Sequence, residues 1–143
     1  MTSTIPIMKL SSLDSFLRSY LSSAFWTSDF AEGSGDYEEN GNAPELFARL
    51  APEAMERATA DCARFESENE ALLSTAYERE YDASQAGHDF WLTRNRHGVG
   101  FWDRAVLERE NDETESLGRL LTTAAHSFGE IDLYEGDDGK LYF

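Results

Sequence analysis

Negative charge is the feature that most restricts what this chain can fold into. It carries 28 Asp and Glu against 12 Lys and Arg over 143 residues, a formal net charge of −16. Self-repulsion at that density opposes compaction, so a fold must gain enough from apolar burial to overcome it. The acid is spread along the whole chain with one exception. Between Ser84 and Arg104, in an aromatic stretch holding Phe90, Trp91, Phe101 and Trp102, the cations Arg94, Arg96 and Arg104 outnumber Asp89 and Asp103. The charge is therefore either the working surface of a folded protein or a device for solubility.

Hydrophobic residues at 41% and aromatics at 13% are too abundant for a disordered acidic tail. The length suits one domain, 1–143, with a core of its own. A single cysteine, Cys62, excludes an intramolecular disulfide and fits a reducing cytoplasm. It falls on the apolar stripe of a helix and reads as a buried, inert thiol. No apolar run is long enough to span a membrane, and MTSTIPIMKL lacks the core and cleavage site of a secretory signal. Nucleic-acid phosphates and anionic membrane surfaces would repel the chain, so neither is expected as a partner. Ten Arg against two Lys fit a GC-rich or halophile-like coding background, which would raise the acid content with no binding role.

Three helices follow from apolar spacing. Leu13, Phe16, Leu17, Tyr20, Leu21, Ala24 and Phe25 recur at three and four residues, with Ser11 and Asp14 at the start. Residues 29–43, with Gly33, Gly35 and Gly41 among acids, read as a mobile acidic loop. A long helix opens at Pro52 and buries Met55, Ala58, Cys62, Phe65, Asn69, Leu72 and Ala76. Its opposite face carries Glu56, Asp61, Glu66, Glu68, Glu70 and Glu78. A third helix, about Glu113 to Phe128, has Asp112 and Glu115 at its start and Gly129 as its stop. His88–Arg94 and Val99–Trp102, joined through Asn95-Arg96-His97-Gly98, read as a hairpin. Glu130–Glu135 and Leu141–Phe143, around the Gly136-Asp137-Asp138-Gly139 turn, read as a second. The expectation is an α+β fold: an antiparallel sheet of about four strands in two hairpins, with about three helices packed on one face.

No arrangement of side chains points to catalysis. In a strand His88 and Asp89 would face opposite ways, and with His97 and Asp103 they lack the spacing of metal ligands. No Ser/His/Asp or Cys/His set can be oriented on one centre. Asp137-Asp138-Gly139 lacks the spaced ligands of a calcium loop, and Gly98-Val99-Gly100 is not followed by a helix that could cradle phosphate. The expectation is a non-enzymatic protein with no metal and no cofactor. The aromatic block could stack bases on a basic sheet, but the surrounding charge opposes that and favours a core role.

The acidic rows remain. Carboxylates held at fixed spacing on rigid elements can occupy a basic groove made for DNA without any sequence readout. The candidate partner-binding residues are Glu66, Glu68 and Glu70; Glu108, Glu110, Asp112, Glu113 and Glu115; and Glu135, Asp137 and Asp138. A charge run is ordinarily a solvated face, yet such faces usually mix signs more evenly.

The strings AGHDFWLTRNRHGVGFWDR and FGEIDLYEGDDGKLYF, within Ala86–Phe143, resemble a group of small acidic proteins of phages and mobile elements. The resemblance implies a genomic setting in which such proteins often inhibit bacterial defence, CRISPR interference complexes or restriction enzymes, by covering DNA-binding surfaces. It implies a basic, DNA-binding bacterial partner and action in the host bacterial cytoplasm. An acidic structural or housekeeping phage protein, charged for solubility only, is the alternative, and contact through a small apolar patch would serve inhibition as well.

Overall fold

In a computed structural model, which describes residues 13–28, 43–108 and 116–143, the aromatic middle of the chain is helical. Asp82 and Gln85 form a capping box: Asp82 Oδ1 accepts from the Gln85 amide (2.8 Å), and Gln85 Oε1 from the Asp82 amide (2.9 Å). The helix runs Ala83–Arg94, and Asn95 closes it by donating from its side chain to the Trp91 carbonyl (3.0 Å). Every residue from Asp89 to Arg94 is buried. A helix covered on nearly every face has no polar stripe, so its 3.6-residue period is silent and its aromatic content imitates a strand.

The expected α+β fold is thereby overturned. Among the described residues there are six α-helices and one two-stranded antiparallel hairpin, in place of a four-stranded sheet. The helices are α1 (Ser15–Trp26), α2 (Ala43–Arg49), α3 (Pro52–Glu68), α4 (Glu70–Tyr77), α5 (Ala83–Arg94) and α6 (Leu117–His126). Val99–Trp102 forms no strand; Phe101–Asp103 and Ala105–Leu107 are single turns of 3-10 helix. The permissive glycine there is Gly100, at φ +157°, and not Gly98. A Cβ on Gly100 would collide with the Thr93 hydroxyl, which accepts from the Phe101 amide (3.2 Å).

Local chemistry accounts for the other helices. Asp14 is itself the N-cap of α1, accepting from the Leu17 amide (2.9 Å). Pro52 opens α3 in its first turn. The long helix expected from Pro52 to Ala76 is two helices, because Asn69 leaves helical geometry and turns its side-chain amide back on the Phe65 carbonyl (2.9 Å). Ser116 caps α6 through the Arg119 amide (3.1 Å), so this helix opens at Leu117, later than Glu113. Gly129, at φ +80°, follows its end. The acidic loop expected over 29–43 lies outside the described residues except for Ala43, which begins α2.

The second expected hairpin forms in shortened shape. β1 (Tyr134–Glu135) pairs with β2 (Leu141–Tyr142), Tyr134 opposite Tyr142 and Glu135 opposite Leu141, while residues 130–133 stay irregular. The Gly136 amide donates to the Lys140 carbonyl (2.8 Å) and closes the turn. Leu141 is fully buried, and its carbonyl accepts from the Ala51 amide (2.9 Å), tying the hairpin to the α2–α3 junction.

The core gathers around α5. Gly87 lets α1 come close enough that a Cβ there would meet the Phe16 carbonyl. Phe90 stacks on Phe65 (4.2 Å between ring centres) and on Tyr20 (5.3 Å), and Phe128 meets it edge-on (5.1 Å). Truncating such a ring to alanine costs about 3–5 kcal/mol. Among the described residues no helix is long and apolar enough to cross a membrane.

Candidate functional site

Charged side chains first appear inside the fold. Arg94 on α5 is 1% exposed and donates to Asp61 Oδ2 (2.8 Å), to the Tyr20 hydroxyl (3.0 Å) and to the carbonyls of Gly129 (2.9 Å) and Phe128 (3.1 Å). Asp61, assigned by periodicity to the wet face of α3, is buried as its counter-ion. Arg57 Nε adds a second donor to it at 3.1 Å. A second network centres on the fully buried Asp89. Arg104 forks onto both of its oxygens (2.9 and 2.6 Å), and the Tyr81 hydroxyl donates to Oδ2 (2.6 Å). Burial holds the Tyr20 and Tyr81 hydroxyls well above their ordinary range, and burial likewise suppresses ionisation of the Cys62 thiol. Each network is satisfied internally, as buried charge requires.

The acidic candidates occupy three different neighbourhoods. Glu66 and Glu68 end α3, and Glu70 begins α4 beyond the break at Asn69, so they do not form one row on one helix. Glu66 is half-buried, and desolvation, with Asp14 nearby, raises its carboxyl above the usual range. Glu68 is exposed and paired with Arg64 (3.3 Å). Glu108 accepts from the Ser116 hydroxyl (2.7 Å), while Glu110, Asp112, Glu113 and Glu115 lie outside the described residues. Glu135 is paired with Arg49 (2.8 Å). The structure does bring Glu135, Asp137 and Asp138 together on the hairpin.

Two shallow hollows open on the surface. One, of about 280 Å³, is lined by Ser19, Ser22, Ser23, Trp26 and His88. His88 Nδ1 shares a hydrogen bond with Ser23 Oγ (2.7 Å), and its ring lies roughly parallel to that of Trp26. Desolvation lowers the His88 pKa and so favours the neutral imidazole. The neighbouring Asp89 is committed to Arg104 and Tyr81, so it does not orient this ring as a general base would need. The other hollow, of about 310 Å³, is lined by Tyr134, Gly136, Asp137, Asp138 and Tyr142. No group of three His, Cys, Asp or Glu among the described residues could hold a metal ion.

Neither hollow is anticipated by spacing alone. The Ser23–His88 pair joins residues 65 apart in sequence. The one signal for the interior network is Arg94 itself, a cation at the end of an apolar aromatic run, where a buried guanidinium demands a carboxylate from elsewhere. No family model, curated protein or solved structure matches the chain.

Proposed function

We propose that this protein is a non-enzymatic inhibitor, phage-encoded, that occupies a basic DNA-binding surface of a bacterial defence protein with its own acidic surface. What supports the reading is how the chain spends its cations. Arg49, Arg57, Arg64, Arg94, Arg96 and Arg104 each end on a carboxylate. Arg94 is withdrawn from solvent, and Arg104 is turned onto a carboxylate that is. Those six cations meet five carboxylates, Glu135, Asp61, Glu68, Glu130 and Asp89, within a chain whose formal net charge is −16. Such a surface attracts a basic groove at long range and accelerates encounter with it.

A second reading has its own observation. Glu68, Glu108, Glu135 and Asp138 each serve a local contact, which suits an acidic structural or housekeeping protein charged for solubility.

The two readings separate in a competition experiment. Purified CRISPR interference complex, and separately a restriction endonuclease, would be mixed with labelled DNA and this protein at about 0.1 and 0.5 M salt. Inhibition of DNA binding that fades steeply with salt is expected for one of them. Glu108→Lys combined with Glu110→Lys, Asp112→Lys, Glu113→Lys and Glu115→Lys should weaken it at least about tenfold through slower association. Joint binding of DNA and this protein, or full inhibition by the Lys variant, would favour the solubility reading.

A further inference from the structure

We infer that the hollow on the C-terminal hairpin is a receptacle for an arginine side chain of a protein partner, its guanidinium lying against the tyrosine rings and hydrogen-bonding to the Asp137 and Asp138 carboxylates. This deepens the basic-partner reading and rests on it for the source of the arginine.

The hollow has the parts that guanidinium recognition needs. Tyr134 is 52% exposed, and its ring is stacked with that of Tyr142 across the strand pair (5.8 Å, 24° between planes). Tyrosine faces attract a planar cation, and a guanidinium can lie flat on a ring while its edge reaches a carboxylate. The wall is fixed in place. The Tyr142 hydroxyl donates to Asp138 Oδ2 (2.7 Å), Asp138 Oδ1 accepts from the Lys140 amide (3.0 Å), and the Tyr142 ring packs so closely over Gly136 that a Cβ there would collide with it. Asp138 keeps acceptor capacity after these two bonds, since a carboxylate offers about four lone-pair sites. Asp137 is exposed beside it. Neither Arg49 nor Lys140 lines the hollow, although Lys140 acts electrostatically on Asp138 from beside it.

The interior of the same molecule contains the completed arrangement. Tyr81 donates to Asp89 (2.6 Å) as Tyr142 donates to Asp138 (2.7 Å), and Arg104 caps the Asp89 carboxylate from the remaining side. The hairpin repeats the tyrosine–aspartate half of that triad on the surface, with a second aromatic ring where the cation would rest.

The test uses the full chain and a minimal probe. Nα-acetylarginine amide would be titrated while ring signals of Tyr134 and Tyr142 are followed by NMR, with Nα-acetyllysine amide and NaCl as matched controls. Saturable shifts with Kd of about 10–100 mM are expected, tighter for arginine than for lysine. Tyr134→Ala should weaken binding about 2–5-fold, and Tyr134→Phe should retain it. Asp137→Asn should also weaken it while leaving the turn intact. Absence of saturation, equal response to NaCl, or indifference to Tyr134→Ala would overturn the receptacle. A single amino-acid derivative does not report on the wider acidic surface, so failure here leaves the competition experiment standing. Loss of that wider reading would equally leave probe binding in place.

Discussion

The Tyr81–Asp89–Arg104 network and the C-terminal hairpin are built from the same side chains and behave as opposites. Around Asp89 the ring, the carboxylate and the guanidinium are all supplied by this chain, and the charge is cancelled where it is buried. On the hairpin, Tyr142 and Asp138 are paired in the same way, but the pair faces solvent with Tyr134 and Asp137 beside it. One arrangement holds α5 to the segment that follows it; the other stays incomplete at the surface. A carboxylate's role in so acidic a chain thus depends on whether an arginine of the chain caps it, which charge counting does not reveal.

Removing each carboxylate in turn should separate the two networks most strongly. Asp89→Ala leaves Arg104 without its fork and a buried tyrosine hydroxyl without an acceptor. It should cost about 3 kcal/mol in chemical denaturation, at the low end for a broken buried pair because Arg104 reaches solvent. Asp138→Ala should leave the denaturation midpoint almost unmoved. Equal losses would show that the hairpin is structural in the same sense as the interior.

Alkaline titration separates them further. Burial raises the Tyr81 and Tyr20 pKa values in the folded state, whereas in the unfolded chain both ionise near pH 10.0. Their stabilisation is complete below that pH and is lost as pH rises above it, by about 1.4 kcal/mol per pH unit for each hydroxyl held protonated. Tyr81→Phe should flatten the fall. Tyr142, pushed up to about 12 by its bond to Asp138, is only partly buried, and Tyr142→Phe should flatten the fall less than Tyr81→Phe does.

The two tryptophans of the aromatic stretch show the same contrast between interior and surface. Trp91 is buried and donates from its indole to Thr27 Oγ1 (2.8 Å), and Trp91→Ala should cost about 3–5 kcal/mol. Trp102 is 48% exposed, and Trp102→Ala should stay within about 0.5 kcal/mol. Parity between them would mean that the burial of α5 is misassigned.

What could be read from the residues follows from which elements have a wet side. Helices α1 and α6 present apolar stripes against polar faces, so both were legible, although α6 runs from Leu117 to His126 and is shorter at each end than the expected Glu113 to Phe128. The Gly136–Gly139 turn was legible from its own chemistry. Helix α5 was not, because burial on all sides erases the alternation that a periodicity argument needs. Asn69 was recognisable as a partnered polar group but not as a helix break. Asp61 lay on the polar side of a stripe, and only the fold could bring Arg94 to it from 33 residues away. For the candidate site, the acid of the hairpin was legible by composition. Its tyrosine walls were not, since Tyr134 and Tyr142 meet only through strand register.

Arg94 also bears on the order of events in folding. Its partners lie 74, 33 and 35 residues away, at Tyr20, Asp61 and the carbonyl of Gly129. Until all of them have arrived, the guanidinium is better hydrated than enclosed, so a collapsed chain with α5 docked in the wrong register is penalised by an unmet charge. Closure of this hub should therefore come late on the folding path, with φ-values near zero at Arg94 and mutations there accelerating unfolding far more than they slow folding. A single buried cation would thus act as a checkpoint on native topology, in a chain whose overall charge resists any collapse at all.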